Sequence, residues 1–172
     1  LEAKALFALG RDADAVAAIQ RGIAAKNGTA GEELSKLYNE LAKYYIKQND
    51  TQSALKLASD ARAAFEGTDY YENYLYHMGM LFRRNGIAEW EKLLGEVAKS
   101  DTEGNRESSL EALAASARRE GRWADAERYY QQLYALPERE DSKKVTDYMK
   151  MIEVLQAQNK SIQPVIASLK TF

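Results

Sequence analysis

The chain has 172 residues, of which 45% are hydrophobic and 29% are charged, and its formal net charge at pH 7 is -2. This balance is typical of a globular protein, and a slightly acidic chain is a poor general binder of nucleic acid. The absence of cysteine excludes disulfides, thiolate metal sites and cysteine nucleophiles, but it leaves both cytoplasm and periplasm open as the compartment.

Helix is predicted along most of the chain. Proline occurs only at Pro137 and Pro164, while strong helix formers are abundant. No stretch approaches the ~18 apolar residues of a membrane span, so we expect no membrane insertion. The chain opens on the apolar-periodic stretch "LEAKALFALG" without a visible signal peptide. We therefore expect it to be a fragment of a longer protein.

Turn signals recur along the chain at nearly constant spacing. Stretches such as "LGRDADA", "RRNGIAE" and "REGRWADA" each place a glycine or asparagine between two helical patterns. These residues are Gly10, Asn49, Gly86, Gly121 and Asn159, at intervals of 39, 37, 35 and 38 residues. Glycine and asparagine tolerate the left-handed backbone that ends a helix. The spacing predicts a series of helix hairpins.

The segments around each turn carry matching apolar patterns. Before a turn, apolar or small residues follow the spacing i, i+3, i+4, i+7 of one helix face. The four stripes are Tyr38, Leu41, Ala42 and Tyr45; Leu75, Met78, Gly79 and Phe82; Leu110, Leu113, Ala114 and Ala117; and Tyr148, Met151, Ile152 and Leu155. After the turn, Ala15, Ala54 and Ala126 each stand five residues on. One helix pair cannot bury its apolar face alone, so the pairs are expected to stack.

These patterns resemble the tetratricopeptide repeat (TPR) family. The match is closest in the second repeat, through the stripe that begins at Tyr38, the turn at Asn49 and Ala54, and in the fourth, through "GRWADAERYYQQLYALP". The resemblance implies an all-α fold, a right-handed superhelical array of antiparallel helix pairs in a single domain. Its five repeats would span 1–28, 31–67, 69–102, 105–137 and 141–172. Their spacing exceeds the usual ~34 residues, which implies longer connections.

Sequence motifs for catalysis are missing. There is no G-x-S-x-G elbow and no phosphate-binding loop, and the single histidine without cysteine offers no zinc site. Acidic pairs such as Glu32 and Glu33 suit the positive ends of helices. We therefore expect a non-enzymatic protein without catalytic residues, metal or cofactor.

The resemblance implies a partner-binding groove lined by the first helix of each pair. Its candidate residues lie beside the apolar stripes. They are Asn39, Lys43 and Lys47; Tyr76, His77, Met80, Arg83 and Arg84; and Glu111, Arg118 and Arg119. The double arginines occupy equivalent places in adjacent repeats and would form a basic strip. Arginine binds carboxylates with two parallel hydrogen bonds, although arginines at helix C-termini also simply complement the helix dipole.

Two functions from different classes follow. The first is a non-catalytic scaffold that binds another protein or peptide, of acidic character, in the groove. The alternative is a structural spacer or assembly segment of a longer repeat protein, for example in a bacterial envelope or polysaccharide-export assembly. Both ends lack a polar cap, which makes self-association a further expectation.

The tyrosine-rich stretch "DYYENYLYHM" combines several roles. Asp69 and Glu72 have the spacing of a helix-start cap. We expect Tyr70, Tyr71 and Tyr74 to pack against the preceding helix pair. Only Tyr76 and His77 are expected to face the groove.

Overall fold

The structure, a computed structural model, describes residues 2–26, 31–100 and 103–170. These residues form helices joined by short connections, and they contain no strand. The helices are α1 Glu2–Ala8, α2 Asp12–Lys26, α3 Glu32–Lys47, α4 Thr51–Phe65, α5 Tyr71–Arg84, α6 Trp90–Val97, α7 Glu103–Arg119, α8 Trp123–Tyr134, α9 Asp141–Ala157 and α10 Gln163–Leu169. The predicted all-α architecture is confirmed. Within the described ranges, no helix has the length and apolar character needed to cross a membrane.

The chain folds as two compact units, Leu1–Leu93 and Leu94–Phe172, which divide within α6. In the first unit, α2 packs against α1 and α3, and α4 packs against α3 and α5. Helices α3 and α5 also contact each other directly. In the second unit, α8 packs against α7 and α9, and α9 packs against α10. Each unit is therefore a stack of helix hairpins.

The five predicted turns share one backbone geometry. Gly10, Asn49, Gly86, Gly121 and Asn159 all have positive φ, between 55° and 71°. In each turn the next residue donates its N–H to the carbonyl five positions earlier, as Arg122 does to Ala117 at 2.8 Å. The turn residue itself donates to the carbonyl three positions earlier. This pair of hydrogen bonds is the Schellman motif, which satisfies helix-end carbonyls and requires a left-handed residue.

The apolar stripes form the cores of the hairpins. Most of their members are buried, and Ala15, Ala54 and Ala126 are 0% exposed. An alanine at this place lets the paired helix come close, since its side chain extends only one carbon from the backbone. Tyr45, the last member of its stripe, and Ile152, the third member of its stripe, are half-buried.

The start of α5 differs from expectation. Helix α5 begins at Tyr71, and Tyr70 at its N-cap makes no side-chain capping hydrogen bond. The expected cap by Asp69 and Glu72 is therefore wrong. Tyr70 is 42% exposed and lines one cavity together with Ser35 and Asn39 of α3, so its packing against the preceding pair is partial. The helix starts one residue later than the cap spacing requires.

The other two tyrosines of this stretch pack as predicted. Tyr74 stacks on Phe65 with ring centroids 4.9 Å apart, and its hydroxyl donates to the Ala58 carbonyl at 3.1 Å. Burial raises the pKa of Tyr74 far above its ordinary value. The Tyr71 hydroxyl accepts a hydrogen bond from Arg62 Nε at 3.1 Å. Both contacts join α5 to α4.

A buried charge cluster, absent from the sequence-based expectations, lies in the second unit. The Arg139 side chain is 3% exposed and that of Asp147 is 1% exposed. Arg139 Nε donates to Asp147 Oδ2 at 2.6 Å, and its Nη1 donates to Glu107 at 2.6 Å and to Glu111 at 2.9 Å. Burial raises the pKa of Asp147, against the opposing effect of Arg139. The cluster ties the α8–α9 connection to α7 and α9.

Candidate partner-binding site

Two adjoining cavities lie between α3 and α5 in the first unit. One, of about 310 Å³, includes Lys36, Asn39 and His77 in its lining. The other, of about 320 Å³, is lined by Asn39, Lys43, Tyr76, His77, Met80, Leu81 and Arg84. Because Asn39 and His77 belong to both, we treat the cavities as one surface, the α3–α5 groove. Six of the predicted site residues meet here: Asn39, Lys43, Tyr76, His77, Met80 and Arg84.

Asn39 has an incompletely satisfied amide at the centre of the groove. Its Oδ1 is buried and has no hydrogen-bond donor among the described residues. A buried acceptor without a donor costs about 1–3 kcal/mol. Asn39 belongs to the lining of both cavities. A ligand N–H could remove the cost.

The cations of the groove are held weakly. Lys43 Nζ lies 2.8 Å from Glu40 Oε1, and Lys36 Nζ lies 2.6 Å from Glu32 Oε1. Exposed pairs of this kind contribute about 0–1 kcal/mol, so a ligand carboxylate can exchange with them. Arg84 is exposed, and within residues 2–26, 31–100 and 103–170 it has no ion-pair partner. The groove therefore offers exchangeable positive charge.

The rings of Tyr76 and His77 form an edge-to-face pair with centroids 5.4 Å apart. Tyr76 and the neighbouring Met80 are half-buried, while His77 is exposed. These side chains give the groove an apolar wall opposite the α3 lysines. Such a wall adds contact area at a small cost in side-chain entropy for the ring.

Two predicted residues of the first unit lie elsewhere. The Arg83 guanidinium sits 5.6 Å from the centre of the Trp90 ring, a cation–π contact that holds it beside α6. Lys47 is exposed at the end of α3 and belongs to the lining of neither groove cavity. Sequence spacing had placed both with Arg84.

In the second unit, two of the three predicted residues make ion pairs with neighbouring elements. Glu111 belongs to the Arg139 cluster, and Arg118 Nη1 lies 2.7 Å from Glu153 Oε2 on α9. Arg119 is exposed. The basic strip of four arginines, two from each unit, stays a prediction.

Sequence reasoning missed five residues of the groove lining: Glu32, Ser35, Tyr70, Tyr74 and Leu81. It also missed Lys36 and Asn73. Each lies three residues before a predicted groove residue, Asn39 or Tyr76, and so on the same helix face. Extension of the groove pattern by one turn toward each N-terminus would have found both. No group of three or more His, Cys, Asp or Glu side chains in the described parts of the chain is arranged to hold a metal ion.

Comparison with known proteins supports the fold. No protein-family model matches the sequence, and no curated protein matches it significantly. Two similar solved structures, one of them a point variant, are of a Podosopora anserina protein described as a kinesin light chain with nearly identical TPR-like repeats. Their sequences are 19% and 18% identical to this chain, with a TM-score of 0.53, over 98% of this chain and 90% of each of theirs. The chain therefore has the fold of the TPR-like helical repeat proteins.

Proposed function

We propose that this chain is a non-catalytic scaffold that binds an acidic peptide segment of another protein in the α3–α5 groove. The observation that carries the proposal is the clustering of exchangeable cations and an apolar wall around the unsatisfied amide of Asn39. Repeat proteins of this architecture use extended surfaces to bind partners.

Each kind of groove residue suits a different part of a peptide. The guanidinium of Arg84 can bind a carboxylate through two parallel hydrogen bonds. Lys43 and Lys36 add positive charge on the α3 side, and Asn39 can hydrogen-bond the peptide backbone. Tyr76 and Met80 supply apolar contact. This combination favours an extended acidic segment over a small metabolite.

The alternative is a structural spacer whose contacts lie away from the groove. It predicts that charge reversal in the groove leaves partner binding unchanged. The exchangeable cations Lys43 and Arg84, which line the groove together with the half-buried Tyr76, favour the binding module.

Selection of peptides tests the proposal directly. We expect random 12-residue peptides displayed on phage and selected on the immobilised protein to be enriched in Asp and Glu. Binding of a selected peptide, followed by fluorescence anisotropy, should weaken at least about tenfold in Arg84→Glu and in Lys43→Glu. A tenfold loss corresponds to about 1.4 kcal/mol.

Lys92→Glu is the matched control. Lys92 is an exposed cation of the same unit that pairs with Glu89 at 3.0 Å, outside the groove. Its reversal should leave peptide affinity unchanged, and circular dichroism should show the same helix content in all variants. Selected peptides without acidic enrichment, or equal affinity for Arg84→Glu and the wild type, would overturn the proposal.

A further inference from the structure

A third cavity, apolar in character, lies on the opposite flank of α3. It has a volume of about 470 Å³, and its walls are Ala3 and Phe7 of α1, Ile19 of α2 and Leu37 of α3. Lys4, Lys36 and Glu40 complete the lining. We name it the α1–α3 cavity. It belongs wholly to the first unit, as does the α3–α5 groove.

The walls of this cavity are fixed by packing. Leu37 lies directly over Gly22, where an added Cβ would come within 3.0 Å of Leu37 Cδ1. The missing side chain at Gly22 therefore allows α3 to approach α2. Phe7 stacks on Tyr44 with centroids 5.5 Å apart, and Ile19 is 1% exposed. Side chains held in this way keep the cavity open for a ligand without reorganisation.

Lys36 connects the two sites. It lines both the apolar α1–α3 cavity and the α3–α5 groove, which lie on either side of α3. A helix with its side chains is about 10 Å across, and an extended chain advances about 3.3 Å per residue. A peptide that crosses α3 therefore needs about three residues to reach from one site to the other.

We infer that the partner segment binds across α3 with two anchors three positions apart. A large aliphatic or aromatic side chain enters the α1–α3 cavity, and an acidic side chain enters the α3–α5 groove. Lys4 and Lys36 outweigh the single acid Glu40 in the lining of the apolar cavity, and the net positive charge favours a segment of negative charge. This inference rests on the proposed function, since it names the second contact of the same peptide.

A biased peptide library tests the spacing. In displayed 12-residue peptides with one fixed central Glu and all other positions random, we expect selection to enrich Leu, Ile, Met or Phe three positions from that Glu. Replacement of this apolar residue by Ser in a selected peptide should weaken binding to the wild-type protein at least about tenfold. Enrichment at no fixed spacing, or no loss on replacement by Ser, would overturn the two-anchor arrangement.

Filling the cavity tests the site. Ala3→Phe places a ring in the α1–α3 cavity, whereas Ala5→Phe places the same ring on an exposed position of α1 outside its lining. We expect Ala3→Phe to weaken binding of the selected peptide at least about tenfold. Ala5→Phe should leave the affinity for this peptide unchanged.

The two proposals fail in distinguishable ways. If Arg84→Glu abolishes binding but Ala3→Phe binds as the wild type does, peptide binding in the α3–α5 groove is supported and the apolar anchor is wrong. If neither variant changes binding, both proposals are wrong. Should Ala3→Phe fail to fold, the Ser-substituted peptide on the wild-type protein still decides the apolar anchor.

Discussion

Arg139 Nε and Asp147 Oδ2 lie 2.6 Å apart, and both side chains are almost completely withdrawn from solvent. Glu107 and Glu111 of α7 share the same guanidinium. A buried ion pair contributes little net stability compared with apolar residues of the same volume, but the loss of one partner leaves an uncompensated buried charge. The cluster therefore makes the second unit sensitive to single substitutions.

We expect Arg139→Met to lower the free energy of unfolding by about 3–5 kcal/mol. The cause is the carboxylate of Asp147, which would stay buried without its cation. Urea denaturation followed by circular dichroism measures the change. Arg139→Met combined with Asp147→Leu should recover most of the loss, because it removes both charges.

A matched control is Arg128→Met, which removes an exposed pair with Asp125 in the same unit. It should cost less than about 1 kcal/mol. Equal losses of unfolding free energy in Arg139→Met and Arg128→Met would show that the buried cluster is no more sensitive to substitution than an exposed ion pair.

Stability should depend on pH through Glu127. Its Oε2 accepts hydrogen bonds from Lys160 Nζ at 2.6 Å and from Gln158 Nε2 at 2.8 Å. The bond from Lys160 is the main cause that lowers the pKa of Glu127 below its ordinary 4.5. A lowered pKa in the folded state means that the stabilisation is present above pH 4.5 and is lost as the pH falls through the lowered pKa.

Glu127→Gln should therefore reduce stability by about 1 kcal/mol at pH 7. The difference in the free energy of unfolding between variant and wild type should disappear as the pH falls below about 4.5. Urea denaturation at pH 7, 5 and 3 measures it, and Lys160→Met should show the same pattern. A gap that is constant across this range would contradict the assignment.

Substitution of a turn glycine by alanine should affect stability in the opposite direction from substitution of a helical glycine. Gly121 has φ of 71°, and an added Cβ there meets only ordinary contacts with Trp123 at 3.9 Å. Gly121→Ala should therefore destabilise by about 1–2 kcal/mol through backbone strain alone. Thermal denaturation of Gly121→Ala and of Gly95→Ala, a substitution inside a helix, gives the comparison.

Gly95 provides the opposite case in the same unit. It lies inside α6, and an added Cβ there meets nothing within 4 Å. Gly95→Ala should stabilise by about 0.5–1 kcal/mol, because alanine restricts the unfolded chain and favours helix. A stabilising Gly121→Ala would exclude the left-handed turn as the reason for this glycine.

The sequence predicts the repeat architecture well because each hairpin is specified locally. A left-handed Gly or Asn, a stripe of period 3.6 and an alanine after the turn all act within about ten residues. Alignment of the repeats also brings Asn39 and Lys43 beside Tyr76 and Arg84, since equivalent positions on neighbouring first helices face the same side.

Other features depend on contacts that no local pattern encodes. The stretch that contains Arg139 suggests only a helix start, because its partners Glu107 and Glu111 lie 32 and 28 residues earlier. The α1–α3 cavity depends on how closely Leu37 packs over Gly22. Arg83 turns to Trp90 because a nearby ring competes with the groove for its guanidinium.

The order of helix packing has a consequence for folding speed. In the second unit, α7 packs on α8, α8 on α9 and α9 on α10, so most contacts between helices join sequence neighbours. Proteins with such low contact order fold in microseconds to milliseconds, because little loop entropy is lost before contacts form. A growing chain that emerges from the ribosome could bury each hairpin against the previous one as it appears.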